Sequence, residues 1–396
     1  MPTDDTTPVI LGGARTPFAR FSGVFAPLSA VELGVVAVRG ALDRSGVRPE
    51  DVDAVVLGQV IQAGAGQGPA RQTAVLAGVG WNVPAVTINK LCLSGLTAVI
   101  DAARMIRLGE ADVVVAGGQE SMTGAPHLLL GSRSGLGVGP RALEDALLHD
   151  GLLDPFDRRI MGRVTDDGNA ERGIHRDRQD AFAALSHQRA ERARSTGILG
   201  AEIVPVTVRQ RRAADLVVEA DDGIRADSTP ETLARLAPAF SPEGTITAGS
   251  SSPITDGASA LVVASRGWAR AHGLSWLATV AEHGQVAGPD NSLHSQPSAA
   301  IRRALERRGA SVADLDVIEI NEAFASVVLH SADDLGVDPE SVNLDGGAIA
   351  LGHPVGASGA RLALHLALAL RRRGGGLGVA ALCGGGGQGE ALILEA

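Results

Sequence analysis

Two stretches of the chain carry apolar residues at helical spacing and end alike. SGLTAVIDAARMIRLG, from Ser94, and SGARLALHLALALRRRG, from Ser358, each predict a helix that opens on Ser-Gly, gathers arginine near its end and stops at glycine. A short apolar run follows each, ADVVVAGG from Ala111 and GLGVAALCGGGG from Gly376, and reads as a strand. Upstream, ALDRSGVRPEDVDAVVLG from Ala41 rhymes with ALERRGASVADLDVIEIN from Ala304: a helix end, a polar turn with an acidic helical start, then an apolar strand. The helices are offset by 264 residues and the upstream pair by 263. One matched pair of amphipathic helices is common; three matched elements in one order at nearly constant offset indicate a duplicated unit. Strands alternating with helices predict an α/β fold with parallel or mixed sheets. Residues from about 123 to 250 have no copy and are richer in Gly, Pro and charge, so they read as an inserted loop-and-helix region. The expected division is 1–122, completed by about 251–275, then the insertion 123–250, then 276–396.

Composition narrows the classes. With 396 residues, 45% of them hydrophobic, the chain can bury a large core and is long enough for more than one domain. A formal charge of −10 argues against nucleic acid, which requires a basic footprint. The N-terminal MPTDDTTP lacks the basic-then-apolar pattern of a signal peptide, and no apolar run approaches the ~18 residues of a membrane span. Two cysteines without CxxC, and ten histidines without HExxH, fit neither a disulfide scaffold nor a zinc site. The expectation is a cytoplasmic protein without membrane, nucleic-acid or metal partners. Fifty-one glycines and no tyrosine give tight turns more weight than aromatic anchors.

Cys92 lies just before the first of the rhyming helices, next to Lys90, the only lysine in the chain. GHPVGASG, 352–359, leads into the second helix. If the halves pack about a pseudo-two-fold axis, both helix N-termini point into one cleft. Their positive ends would then be expected to depress the pKa of Cys92. A cysteine before a helix can also be packed core, and Cys383, which ends an apolar strand, can be a buried structural thiol. Four further clusters are marked by glycine or by chemistry: GGQESM at 117–122, NEAF at 321–324, GGAIALGHPVGASG at 346–359 and CGGGGQG at 383–389.

These clusters, in this order and with both cysteines and His353 in place, closely resemble the thiolase family from about Pro8 to the C-terminus. The resemblance implies two βαβαβαββ halves in an αβαβα layered structure with an inserted loop domain that binds coenzyme A. It implies that Cys92 is the acylated nucleophile, His353 its base, and Cys383 the acid/base that moves the α-proton of a second acyl-CoA. Asn321 resembles the residue that holds a water in one oxyanion hole, with His353 as the other donor; the N–H groups of Cys92 and Gly385 resemble the second hole. The chemistry needs such parts. A thiolate accepts and returns an acyl group, carbon–carbon bond formation needs a second base, and developing oxyanions need fixed donors.

The implied coenzyme contacts are Arg225, Ser252, Ala248, Met161 and Phe240, although Arg225 can be an ordinary surface residue and Ser252 a helix cap. RRIMG at 158–162 has Ile160 where short-chain relatives often carry a pantetheine-contacting histidine. Ser251, Pro253 and Thr255 also replace the Ala, Gly and Asn of the commonest biosynthetic pattern. GQVIQAGAGQGPARQTA and VTINKLCLSG look most like the bacterial biosynthetic branch. The expected activity is acetyl-CoA C-acetyltransferase. A degradative 3-ketoacyl-CoA thiolase is the alternative, and a non-catalytic lipid-carrying relative a remote one. The resemblance further implies coenzyme A thioesters as substrates, no resident cofactor, and a homotetramer or homodimer.

Overall fold

The computed structural model describes residues 4–396; Met1, Pro2 and Thr3, which begin the N-terminal stretch read above, lie outside it. The first half runs β1 (Pro8–Arg15), α1 (Ala30–Ser45), β2 (Ala54–Gly58), α2 (Pro69–Ala77), β3 (Ala85–Ile88), α3 (Ser94–Leu108) and β4 (Val113–Glu120). Local chemistry sets its boundaries. Ser29 and Glu32 form a reciprocal capping box at the start of α1, and Gly46 ends that helix in the left-handed region. The insertion contributes α4 (Met161–Glu171) and α5 (Arg176–Ser195), after which β5 (Thr255–Ser265) returns to the first half. The second half runs β6 (Ala278–Ala287), α6 (Gln296–Arg308), β7 (Val317–Ile320), α7 (Ala325–Leu335), α8 (Ser358–Arg373), β8 (Leu377–Gly384) and β9 (Gln388–Glu395).

The nine strands order as β7-β8-β9-β6-β1-β5-β4-β2-β3, with a two-residue strand, Ala19–Arg20, paired on β5. Read outward from the β6/β1 seam, the pairing repeats: antiparallel, antiparallel, parallel. The seam itself is two residue pairs, Val9↔Thr279 and Ile10↔Ala278. The second half departs from βαβαβαββ at its third strand, which survives as one parallel bridge, Ile318↔Val342. There Asn343, at φ +54°, substitutes its side chain for a ladder. Its Nδ2 donates to Ile320 O at 2.7 Å and its Oδ1 accepts from Ile320 N–H at 2.8 Å.

Strand periodicity distributes the core into layers. On the first half-sheet, Val56, Val114 and Ala116 join a cluster with α3 and α8, whereas Val55, Val113 and Val115 face α1 and α2. On the second, Ala380 and Leu382 join the same central cluster, and Val379 and Ala381 face α6 and α7. The helices α3 and α8 are therefore sandwiched between the two half-sheets. They touch through glycine: a Cβ on Gly359 would lie 2.3 Å from Leu96 N, and one on Gly95 2.9 Å from Ala360 N. That contact brings the N-terminal ends of α3 and α8 side by side.

Candidate active site

The turn before α3 is tight. Ser94 Oγ accepts from Lys90 N–H at 2.8 Å and donates to Leu91 O at 2.6 Å, and Leu91 is held at φ +52°. A branched side chain at positive φ is strained and persists only where its surroundings fix it. Here Lys90 Nζ pairs with Glu390 at 3.0 Å, and Thr97 Oγ1 donates to the other oxygen of that fully buried carboxylate at 2.7 Å. The strained turn points Cys92 into a cavity of about 180 Å³ that His353 and Cys383 also line. Both cysteines are free thiols.

The electrostatics differ from the sequence expectation. Burial pushes the Cys92 thiol up to about 11, with a further push from the Glu120 carboxylate. The N–H groups of Cys92 and Gly385 act on Sγ in the opposite sense. Of these two donors only the Cys92 N–H lies at a helix start, and the helix-terminus argument omitted desolvation, which dominates for a fully buried thiol. Cys92 rests as a neutral thiol and needs a base. Burial likewise raises Cys383, helped by the proximity of Cys92.

His353, which lines the same cavity, has the protonation state a base requires. Burial, then the Arg361 charge, lowers its pKa to about 3, so the imidazole is neutral. Its Nδ1 lies 2.6 Å from Ser358 Oγ, which donates its own proton to Pro354 O at 2.9 Å. Ser358 therefore accepts from Nδ1–H, leaving Nε2 as the unprotonated nitrogen. Asn321 Nδ2 lies 3.4 Å from Nε2 on the same side. The His353 backbone N–H donates to Thr255 Oγ1 at 3.0 Å, anchoring the loop to β5. Asn321 is placed by its N–H, which donates to Ala381 O at 2.9 Å.

Of the other residues expected at the site, Gly385, Ser252, Met161 and Phe240 line the cavity. Ser252 does not cap a helix: its N–H and Oγ donate to Ala323 O at 3.0 and 3.2 Å. Ile160 lines the cavity at 41% exposure, where the mouth meets solvent. Arg225 and Ala248 are exposed and do not line this cavity; the Arg225 backbone N–H donates to His187 Nδ1 at 3.2 Å. Sequence reasoning missed the apolar walls: Leu152 and Leu293 lie outside any noted motif, and Phe324 and Val355 lie within noted motifs but were given no role. It also missed that the acid of NEAF faces away from the chemistry. Glu322 accepts from Ser186, Asn343 and Ile349 at 2.6, 2.9 and 3.0 Å, bracing β7 against α5.

A thiol, a neutral imidazole with Nε2 unprotonated, and a second thiol lining one largely apolar cavity are the groups that acyl transfer needs. The comparisons agree. The thiolase N-terminal domain model matches residues 8–267 and the thiolase C-terminal domain model residues 274–396. A probable acetyl-CoA acetyltransferase of Mycobacterium leprae is 54% identical over 99% of this chain and 100% of its own. The acetyl-CoA acetyltransferase of Cupriavidus necator is 44% identical over 98% and 99%. The crystal structure of the Bacillus anthracis acetyl-CoA acetyltransferase superposes with a TM-score of 0.95 at 38% identity, covering 98% of each chain. The chain belongs to the thiolase family.

Proposed function

We propose that the protein is an acetyl-CoA C-acetyltransferase, condensing two acetyl-CoA to acetoacetyl-CoA and CoA, reversibly. The observation that carries this reading is the convergence of Cys92, His353 Nε2 and Cys383 on one cavity. His353 Nε2 takes the Cys92 proton as sulfur attacks the thioester, and the N–H groups of Cys92 and Gly385 receive the oxyanion. Cys383 gives its proton to the departing CoA sulfur and, as a thiolate, removes the α-proton of a second acetyl-CoA. Protonated His353, with a water held by Asn321, receives the enolate oxygen. The carbanion attacks the acyl carbonyl, and Cys92 leaves and recovers its proton from His353. Each proton is returned, so no resident cofactor is required.

Coenzyme A thioesters are thus substrates, and the pantetheine arm is assigned to Ser252, Met161 and Phe240, which line the cavity. Arg225 and Ala248 are assigned to the nucleotide end, beyond it. The cytoplasm remains the proposed compartment, and a homodimer or homotetramer is supported by two exposed apolar features: the sheet-edge strand β3, with Val86 at 52% exposure, and the 129–143 stretch with Leu129, Leu130, Val138 and Leu143. Among the described residues no helix is long and apolar enough to cross a membrane.

Two measurements test the reading. Incubation with acetyl-CoA and peptide mass mapping should find the acetyl group on Cys92; acetylation elsewhere with Cys92 free would sink it. Steady-state thiolysis should favour acetoacetyl-CoA over 3-ketodecanoyl-CoA, and the opposite preference would make the enzyme a degradative 3-ketoacyl-CoA thiolase.

A further inference from the structure

The duplication gives Cys92, His353, Cys383 and Asn321 each a counterpart, and the counterparts form a second site without chemistry. At the offsets of 263 and 264, Cys92 matches Gly356, Cys383 matches Gln119, His353 matches Asn89 and Asn321 matches Gly58. Neither thiol nor imidazole survives in that copy. Its centre is filled by Glu120, the last residue of β4, which is fully buried. In the catalytic copy the Cys92 N–H acts on sulfur, where an acyl oxygen would be received. In the silent copy the matching N–H, that of Gly356, donates to Glu120 Oε2 at 3.0 Å. A Cβ on Gly356 would lie 2.7 Å from that oxygen, so the carboxylate occupies the space a nucleophile would need.

We propose that Glu120 is a positioning residue for the chemistry at Cys92, a buried carboxyl group in the silent oxyanion site that fixes the His353 loop against the first half. Gly356 belongs to the loop that begins at His353. The same carboxylate accepts from Val60 N–H at 2.9 Å and Ile61 N–H at 3.1 Å. Val60, Ile61 and Val355 pack with Cys92 in one apolar cluster. One buried group therefore holds two loops, one from each half, that enclose the nucleophile. Burial raises the Glu120 carboxyl to about 7 and the three N–H donors oppose that rise, so the carboxylate form gains as pH passes neutrality. Gln119 and Asn89 support the arrangement. Gln119 is bonded to Thr73 at 2.7 Å and to Gln59 at 2.9 Å, and Asn89 Oδ1 accepts from Leu91 N–H at 3.1 Å.

The inference rests on Cys92 being the acylated nucleophile, and its test reads Cys92 directly as well as through turnover. Glu120→Gln keeps the shape but turns an amide nitrogen toward one of the three N–H donors. Its kcat for acetoacetyl-CoA thiolysis should fall about 10- to 100-fold, the scale of a sub-ångström misplacement, while KM for CoA stays within about twofold. Alkylation of Cys92 by iodoacetamide should slow with it, because the base is displaced. Slow alkylation in a wild-type protein that shows no thiolysis would fault the proposed reaction rather than this role. A folded Glu120→Gln with wild-type kcat overturns the proposal, as does a variant that loses melting temperature alone. If Glu120→Gln does not fold, Glu120→Asp, which withdraws the charge by one methylene, is read the same way. Failure of both to fold would make Glu120 a structural brace only and overturn its part in the chemistry.

Discussion

At the residue scale the site depends on a proton that is not free to leave. A thiol near 11 is protonated at neutral pH, so on the proposed mechanism Cys92 reacts only as fast as His353 Nε2 accepts its proton. His353→Ala should lower the rate of Cys92 acetylation about 10²- to 10⁴-fold. Residual alkylation of Cys92 in that variant should climb with pH until about 11, with no plateau near 7. Stopped-flow alkylation against pH checks both statements. Cys383→Ser should separate the two half-reactions: Cys92 still acylates, but condensation is poor, because a hydroxyl is a far weaker base than a thiolate. Equal loss of acylation in Cys383→Ser and Cys92→Ala would remove the separate role of Cys383. Ile160 stands at the cavity wall, so Ile160→His should lower KM for acetoacetyl-CoA and leave longer substrates unchanged or worse. An unchanged KM across a substrate series would mean that Ile160 makes no ligand contact in solution.

At the element scale, the loops before α3 and α8 hold the chemistry, and glycine lets those helices meet. Gly359→Ala would press a Cβ to 2.3 Å from backbone nitrogen, so the two helices must separate. Overpacking of this kind costs about 1–3 kcal/mol. Activity should fall further than stability, because the same movement parts Cys92 from His353. Gly200→Ala, which meets nothing within 4 Å, is the control and should stay within about 0.5 kcal/mol in chemical denaturation. This layer was the most legible in sequence. The 264-residue offset between Ser94 and Ser358 carries over from the helices to β4 and β8, whose bounds differ by the same number. The third strand of the second half was not legible, since a single Asn343 side chain replaces its ladder. Cys92, His353 and Cys383 could be found because glycine-marked motifs surround them. Glu120 lay within a noted motif, yet its role depends on Gly356, 236 residues away, and on burial that no local pattern states.

At the scale of the whole molecule, a buried charge cluster ties the insertion to both halves. Arg15 of β1 bonds Glu202 at 2.7 Å and Asp221 at 2.6 and 2.8 Å, both acids belonging to the insertion. His365 of α8 lies 3.0 Å from Glu202 and 3.4 Å from Asp345, with Glu319 at 4.0 Å, and Arg361, Arg15 and Arg372 complete its charged surroundings. Burial alone would lower the His365 pKa; Glu202 first, then Asp345 and Glu319, raise it to about 10. Glu202 falls to about 2, held there by Arg15 and His365 against its own burial. The signs fix the pH window. The imidazolium contribution is complete below the unfolded value of 6.5 and is lost as pH rises through 10. The Glu202 contribution is complete above 4.5 and is lost as pH falls through 2. Stability should therefore decline between pH 7 and 10 through a histidine that touches no substrate. His365→Asn keeps a hydrogen-bonding side chain but leaves Glu202 short of one cation, and should cost about 3–5 kcal/mol at pH 7. Its denaturation midpoint should then change less between pH 7 and 9.5 than that of the wild type. Parallel alkaline losses in both proteins would show that His365 is neutral in the folded state and that its charge does not hold Glu202.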